Sequence, residues 1–123
     1  MSEKISFKEM CAMFDATPRT LRYYEYIELL SPQREGRARF YGPREVARMK
    51  LILRGRRFGF SLEEIRQWLE LYGKEGTSAQ GIAWVEMADR QLAELTRQQD
   101  ELAASIEDLR QLRSEVAQKM GIS

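Results

Sequence analysis

Apolar residues recur at helical spacing in four short blocks of this chain and then in one long stripe. In the first block Phe7, Met10, Cys11 and Phe14 fall three or four residues apart, the spacing of one helix face. Ser6 precedes them as an N-cap, and Glu9 three residues on completes a capping box. Asp15-Ala16 breaks this helix, and Thr17-Pro18 starts a second. A threonine oxygen caps free N–H groups, and proline at the first helical position lacks only an N–H that has no partner there. The second helix runs through Leu21 and Tyr24 to about Ile27, and so short a break between two helices predicts a helix-turn-helix. Leu29-Leu30-Ser31-Pro32 is a loop into a hairpin whose turn is Glu35-Gly36 and whose second strand is Ala38 to Tyr41. Gly42-Pro43 opens a third helix with Val46, Met49, Leu51, Ile52, Leu53 and Phe58 on its buried side, and Gly59 ends it. Ser61 and Glu64 form a second capping box, for a fourth helix that turns Leu62, Ile65, Leu69, Leu71 and Tyr72 inward with Trp68 beside them.

Gly73-Lys74-Glu75-Gly76-Thr77 is a linker, after which one helix is predicted from Ser78 to Lys119. A heptad frame fits it, with Val85, Leu92, Gln99, Ile106, Arg113 and Met120 at a and Ala88, Leu95, Leu102, Leu109 and Val116 at d. Leu112 lies beside this stripe. A narrow seam of this length is that of a coiled coil, in which polar Gln99 and Arg113 would set register or orientation. No second helical pattern follows to cover the seam, so the expected partner is a second copy of the chain; the alternative is packing back onto its own domain. The expected organisation is a domain over residues 1–72, a linker over 73–77 and a dimerisation helix over 78–123.

Charge sharpens this division. The net charge is +1, but residues 1–72 carry +4, residues 73–123 carry −3, and the segment from Arg34 to Arg57 alone carries +7. A concentrated basic stretch is the footprint of phosphate binding, although a charge run by itself is also what a solvated face looks like. The chain has one cysteine, Cys11, and no histidine. That excludes an intrachain disulfide and an ordinary zinc site of cysteines and histidines, and removes the commonest general base. No metal or cofactor is expected, and no catalytic constellation is visible. No apolar run nears the roughly 20 residues of a membrane span, and Met1 to Lys8 lack the apolar stretch of a secretory signal, so the expected place is the cytoplasm.

The second helix concentrates the candidate chemistry. Helical spacing puts Arg19, Arg22 and Tyr23 on one outward face, with Leu21 and Tyr24 turned inward. Such a helix can lay arginine and hydroxyl groups in a DNA groove, where arginine bonds a guanine edge bidentately. Strand alternation would place Arg37, Arg39 and Tyr41 on one face of the hairpin and Ala38 and Phe40 on the other, as a wing reaching DNA backbone would need. Arg54, Arg56 and Arg57 end the third helix, where cations also complement the helix dipole.

Thr20-Leu21-Arg22-Tyr23-Tyr24-Glu25, Ile27, Leu29-Leu30-Ser31-Pro32, Arg39-Phe40-Tyr41 and Arg57-Phe58-Gly59-Phe60-Ser61-Leu62-Glu63-Glu64-Ile65 together resemble the MerR family of bacterial transcriptional regulators, over about residues 5 to 72. The resemblance implies a mostly helical winged helix-turn-helix domain with a small β-hairpin wing, followed by a long helix that forms an antiparallel coiled coil. It implies a homodimer on double-stranded promoter DNA, distorting the promoter so that RNA polymerase, an indirect partner, meets its two elements in line. Thr17, Arg19, Thr20, Arg22, Tyr23 and Tyr24 match recognition-helix positions, and Arg39 and Tyr41 match the wing. Two departures stand out: Arg37 and Ala38 occupy wing places where the family usually has Gly-Tyr or Gly-Asn, and Glu28 replaces a usual loop glycine.

Metal-sensing relatives carry cysteines at the start of the long helix and after it; here those stretches hold neither cysteine nor histidine, so a thiolate metal sensor is not expected. The chain also stops too soon for the drug-binding domain of larger relatives. Cys11, on the inward side of the first helix, reads as a packed thiol, with redox sensing as the alternative. Trp84 and Met87 read as core, with an apolar pocket for an unidentified small-molecule effector as the alternative. Besides a sequence-specific regulator, the same features allow a nonspecific architectural DNA binder or a coiled-coil adaptor.

Overall fold

A computed structural model describes residues 3–73 and 77–123, and in it the chain divides into two compact units, one up to Ser78 and one from Ala79 onward. Lys74, Glu75 and Gly76 of the expected linker lie outside the described residues, and Gly73 closes the helix before it.

The first unit runs β1 (Ile5–Ser6), α1 (Phe7–Phe14), α2 (Pro18–Tyr26), β2 (Gln33–Glu35), β3 (Ala38–Tyr41), α3 (Pro43–Phe58) and α4 (Leu62–Gly73). Both capping boxes form. Glu9 N donates to Ser6 Oγ at 3.1 Å while Ser6 N donates to Glu9, and Ser61 and Glu64 repeat the exchange at 2.8 and 3.1 Å. Thr17 caps α2 by accepting from Thr20 N at 3.1 Å, with Pro18 in its first turn. Asp15, with φ 51°, ends α1, and Gly59, with φ 87°, ends α3.

Three antiparallel strands form a sheet in the order β1-β3-β2, with Ile5 opposite Tyr41 and Gln33 opposite Phe40. The two residues of β1 were not legible as a strand, because so short a segment has no periodicity of its own. Pairing of Glu35 with Ala38 moves the hairpin turn from the expected Glu35-Gly36 to Gly36-Arg37. Gly36 takes the first turn position with φ 63°, a left-handed backbone that glycine adopts without a Cβ penalty. Arg37 therefore sits at the tip of the wing and not on a strand face with Arg39.

The core joins Met10 of α1, Leu21 and Tyr24 of α2, Leu29 and Leu30 of the following loop, Tyr41, Met49 and Ile52 of α3, Phe60, and Ile65, Trp68 and Leu69 of α4. Along α3, Val46, Leu51, Leu53 and Phe58 are only partly covered, whereas Glu45 and Gly55 are buried. Gly55 lies against α4: a Cβ there would come within 2.6 Å of Ile65 Cγ1. Glu45 accepts from Ser31 N at 2.7 Å and from Arg44 Nη1 at 2.7 Å. Arg48 Nε donates to Leu29 O at 2.9 Å, and Arg66 donates to Ile27 O. Charged side chains of α3 and α4 thus satisfy the backbone of the loop that leaves α2, as a buried loop requires.

The second unit is α5 (Ser78–Met120), 43 residues without a break, two turns of whose surface are laced by ion pairs from Arg97 to Glu94 and Glu101. Gly121, with φ 69°, turns the chain back, and Ile122 N donates to Ala117 O at 2.9 Å. No described helix is long and apolar enough to cross a membrane.

Candidate nucleic-acid interface

α2 is fixed on one side and open on the other. Leu21 and Tyr24 are buried, while Arg19, Arg22 and Tyr23 are exposed. Thr17 and Thr20 stand at its start, where the Thr17 hydroxyl donates to Thr20 Oγ1 at 2.9 Å, so both hydroxyls are partly engaged in capping. A surface groove of about 620 Å³ runs beside the helix, lined by Arg19, Thr20, Arg22, Tyr23, Tyr24, Tyr26, Arg56 and Leu62. Three of these contributors were not expected on a DNA-facing surface, among them Leu62 of α4, which was expected to pack inward. Tyr26, 83% exposed, occupies the last position of α2, and Arg56 comes from the end of α3, where its charge reads equally well as a helix-dipole partner.

The wing divides its expected residues. Arg37 is exposed at the hairpin tip, and Arg34 on β2 is also exposed. Arg39 is 25% exposed at its side chain, with Nε 3.3 Å from Glu25 Oε1 of α2. Tyr41 is fully buried and its hydroxyl donates to Glu25 Oε2. Its expected place on an open DNA-contacting face is therefore corrected: it shares with Arg39 the face of β3 that meets Glu25, and α1 and α3 pack against this strand, which leaves Arg39 partly exposed and Tyr41 enclosed. Tyr24 is turned inward as its helical spacing predicts, at 6% exposure, so its match to a recognition-helix contact is corrected to a core residue whose edge lines the groove. Burial and the Glu25 carboxylate together push the Tyr41 phenol well above its ordinary pKa, so it stays a hydrogen-bond donor at any working pH.

Glu25 is the residue that sequence reading undervalued. Its side chain is 8% exposed, and its two oxygens hold Tyr41 and Arg39 of the wing to the helix. Glu28, at the position where the family resemblance leads one to expect glycine, takes the tight bend after α2 at φ 65°, in the left-handed region that costs a non-glycine residue roughly 1–2 kcal/mol. Leu29 N and Leu30 N both donate to Tyr24 O, at 2.9 and 3.3 Å, which secures that bend.

On α5 the expected seam is open in the single chain. Val85, Leu92, Leu95, Leu102, Ile106, Leu109, Val116 and Met120 are exposed, Ala88 is partly covered, and Gln99 and Arg113 are exposed within the seam. Met87 is buried and Trp84 partly so. Cys11 is partly buried, and among the described residues no group of three or more cysteine or acidic side chains gathers to hold a metal.

A capped helix-turn-helix with a cationic open face, flanked by a three-stranded wing, defines a winged helix-turn-helix DNA-binding protein. The model of the MerR HTH family regulatory protein matches residues 5–71, and that of the MerR DNA-binding region matches residues 46–118. The chain is 40% identical to the HTH-type transcriptional regulator HmrR of Rhizobium leguminosarum bv. viciae over 97 residues, which cover 74% of this chain and 72% of that protein. It is 38% identical to the HTH-type transcriptional regulator ZntR of Escherichia coli K12 over 65 residues, 51% of this chain and about half (46%) of ZntR. The crystal structure of HiNmlR, a MerR family regulator lacking the sensor domain, bound to promoter DNA, has the same fold, with a TM-score of 0.70, 17% identity, and coverage of 98% of this chain and 92% of that one. This protein belongs to the MerR family of DNA-binding transcription regulators.

Proposed function

We propose that this protein is a cytoplasmic, sequence-specific regulator without enzymatic activity, which binds one promoter site as a homodimer and distorts it. Arg19, Arg22 and Tyr23, with the Thr17 and Thr20 hydroxyls, enter the major groove on α2 and meet base edges or the phosphates beside them, while Arg37 at the wing tip and Arg39 contact the flanking backbone. The observation that carries this reading is the two-sided character of α2: Leu21 and Tyr24 anchor it in the core while arginines and Tyr23 stay open on the other side. Self-association through α5 is supported by its exposed apolar seam, since two such stripes remove each other from water. With two copies of α2 related by a two-fold axis, the contacted half-sites lie about 34 Å or a multiple apart, in successive major grooves. One thiol and no imidazole argue against a thiolate metal effector; the effector, if the promoter response uses one, is of another chemical class.

The test is selection of duplexes from a random-sequence pool by the full chain, followed by footprinting on the selected site with random DNA as competitor. The expected result is a two-fold symmetric footprint that survives competitor, with affinity falling steeply as salt rises. Equal loss of protection to random competitor would replace this reading with a nonspecific architectural binder, and no DNA binding at all with a coiled-coil adaptor.

A further inference from the structure

We propose that Phe7 and Glu25 are positioning residues that join Arg22 of α2 and Arg39 of the wing into one phosphate-binding pair. The proposal rests on the reading of α2 and the hairpin as a DNA-binding face, and adds to it how helix and wing are made to act together. Phe7 is the first residue of α1 and belongs to neither DNA-facing element. Its ring centroid nevertheless lies 5.5 Å from the guanidinium carbon of Arg22 and 5.3 Å from that of Arg39. Within about 6 Å an aromatic face attracts a cation, so the one ring is a shared seat for two arginines from different elements.

Two guanidiniums on one ring repel each other unless an anion is near. Glu25, one turn after Arg22 on α2, supplies part of that charge, with Oε1 3.3 Å from Arg39 Nε. Tyr41 holds the other carboxylate oxygen and so keeps the Glu25 carboxylate at the wing, where the buried Arg39 Nε meets it as an ion pair and has no hydrogen-bond partner of its own. Arg22 has no such acidic partner among the described ion pairs and is exposed, and Arg39 keeps a quarter of its side chain in solvent. One carboxylate against two guanidiniums leaves a net positive charge, and a backbone phosphate is the anion whose oxygens match guanidinium forks. DNA backbone laid along this edge of the protein meets both arginines at a spacing that the Phe7 ring sets. Loss of either arginine then disables the pair, not half of it.

The measurement is a double-mutant cycle on the affinity of the full chain for its selected duplex, with Arg22→Ala, Arg39→Ala and both together, in chains carrying Phe7, Phe7→Leu or Phe7→Tyr. With Phe7 or tyrosine present, each single change weakens binding about tenfold and the double change much less than about a hundredfold, because coupled neighbours are not additive. In the Phe7→Leu background the two losses multiply. Circular dichroism establishes that Phe7→Leu is folded; should it unfold, the same cycle in Glu25→Gln, which keeps the side-chain size, takes its place and gives the same expected loss of coupling. Losses that multiply with Phe7 present, or coupling that persists unchanged without the ring and without the carboxylate, would overturn the pair while leaving DNA binding intact. Failure of the unaltered chain to bind any duplex would instead remove the reading beneath it.

Discussion

The two units of this protein use the same kinds of apolar residue to opposite ends. In the first, Met10, Leu21, Leu29, Met49, Ile52 and Ile65 are sealed from solvent by neighbouring elements of their own chain. In the second, Leu102 is 62% exposed and Leu109 66%, on a helix that is regular over 43 residues. The first unit satisfies its hydrophobic groups internally, because helices and sheet supply each other with covering faces. A single helix has one stripe and no second layer, so its apolar surface leaves water only against another molecule or another part of the chain. The contrast separates a unit whose core residues are covered from a helix whose seam is open for the proposed self-association.

The largest effect is expected where that contrast is broken outright. Leu102→Lys with Ile106→Lys places two charges in the α5 seam; sedimentation should show a monomer, and operator affinity should fall about 100-fold or more, since each half-site then binds alone. A variant that stays dimeric would mean the seam lies elsewhere. The glycines test the packing side of the comparison. Gly55→Ala drives a Cβ to 2.6 Å from Ile65 and should cost about 2–3 kcal/mol in urea unfolding, whereas Gly81→Ala, with open space around its Cβ position on α5, should strengthen the helix by about 0.5–1 kcal/mol. Equal effects at both positions would contradict the difference in packing density.

Smaller changes probe the tie between wing and helix. Tyr41→Phe removes the donor to Glu25 and leaves a largely buried carboxylate oxygen short of a partner, a loss of about 1–2 kcal/mol in thermal unfolding. Glu28→Gly should do the reverse, gaining about 1 kcal/mol by relieving a left-handed backbone; a destabilised variant would show that the Glu28 side chain contributes more than the strain costs. The smallest effect concerns pH. Hydrogen bonds from Arg97 and then Gln98 hold the Glu94 carboxyl at about 2. A carboxylate lowered in the folded state stabilises α5 above its ordinary pKa, and that contribution goes as pH falls through about 2. An NMR titration should place its midpoint there, and Arg97→Ala should return it toward the ordinary glutamate range.

Much of the first unit was legible because its signals are local. Ser6 with Glu9, Thr17 with Pro18, Ser61 with Glu64, and Gly59 after the third helix each act within one turn of backbone, and each element begins or ends where those residues direct. The heptad stripe of α5 is local in the same sense: spacing alone puts Leu95, Leu102 and Leu109 on one side. The basic character of the second helix and hairpin also needed no coordinates, since charge does not depend on fold.

What the tertiary structure decided are the choices between neighbours distant in sequence. Only the packing of α1 and α3 on β3 shows why Tyr41 is enclosed, and only the pairing of β2 with β3 why Arg37 rides the wing tip, because alternation assigns faces but not which face is covered. Glu25 and Phe7 look like a surface acid and a core aromatic until Arg39, Arg22 and Tyr41 arrive from other elements. Glu28 shows the same limit, since hydrogen bonds from the following leucines hold a bend that its own backbone disfavours. Local rules set where helices and strands start, stop and point; burial and pairing over long range determine which of their polar groups remain free to meet DNA, since a group's solvent access depends on what packs over it.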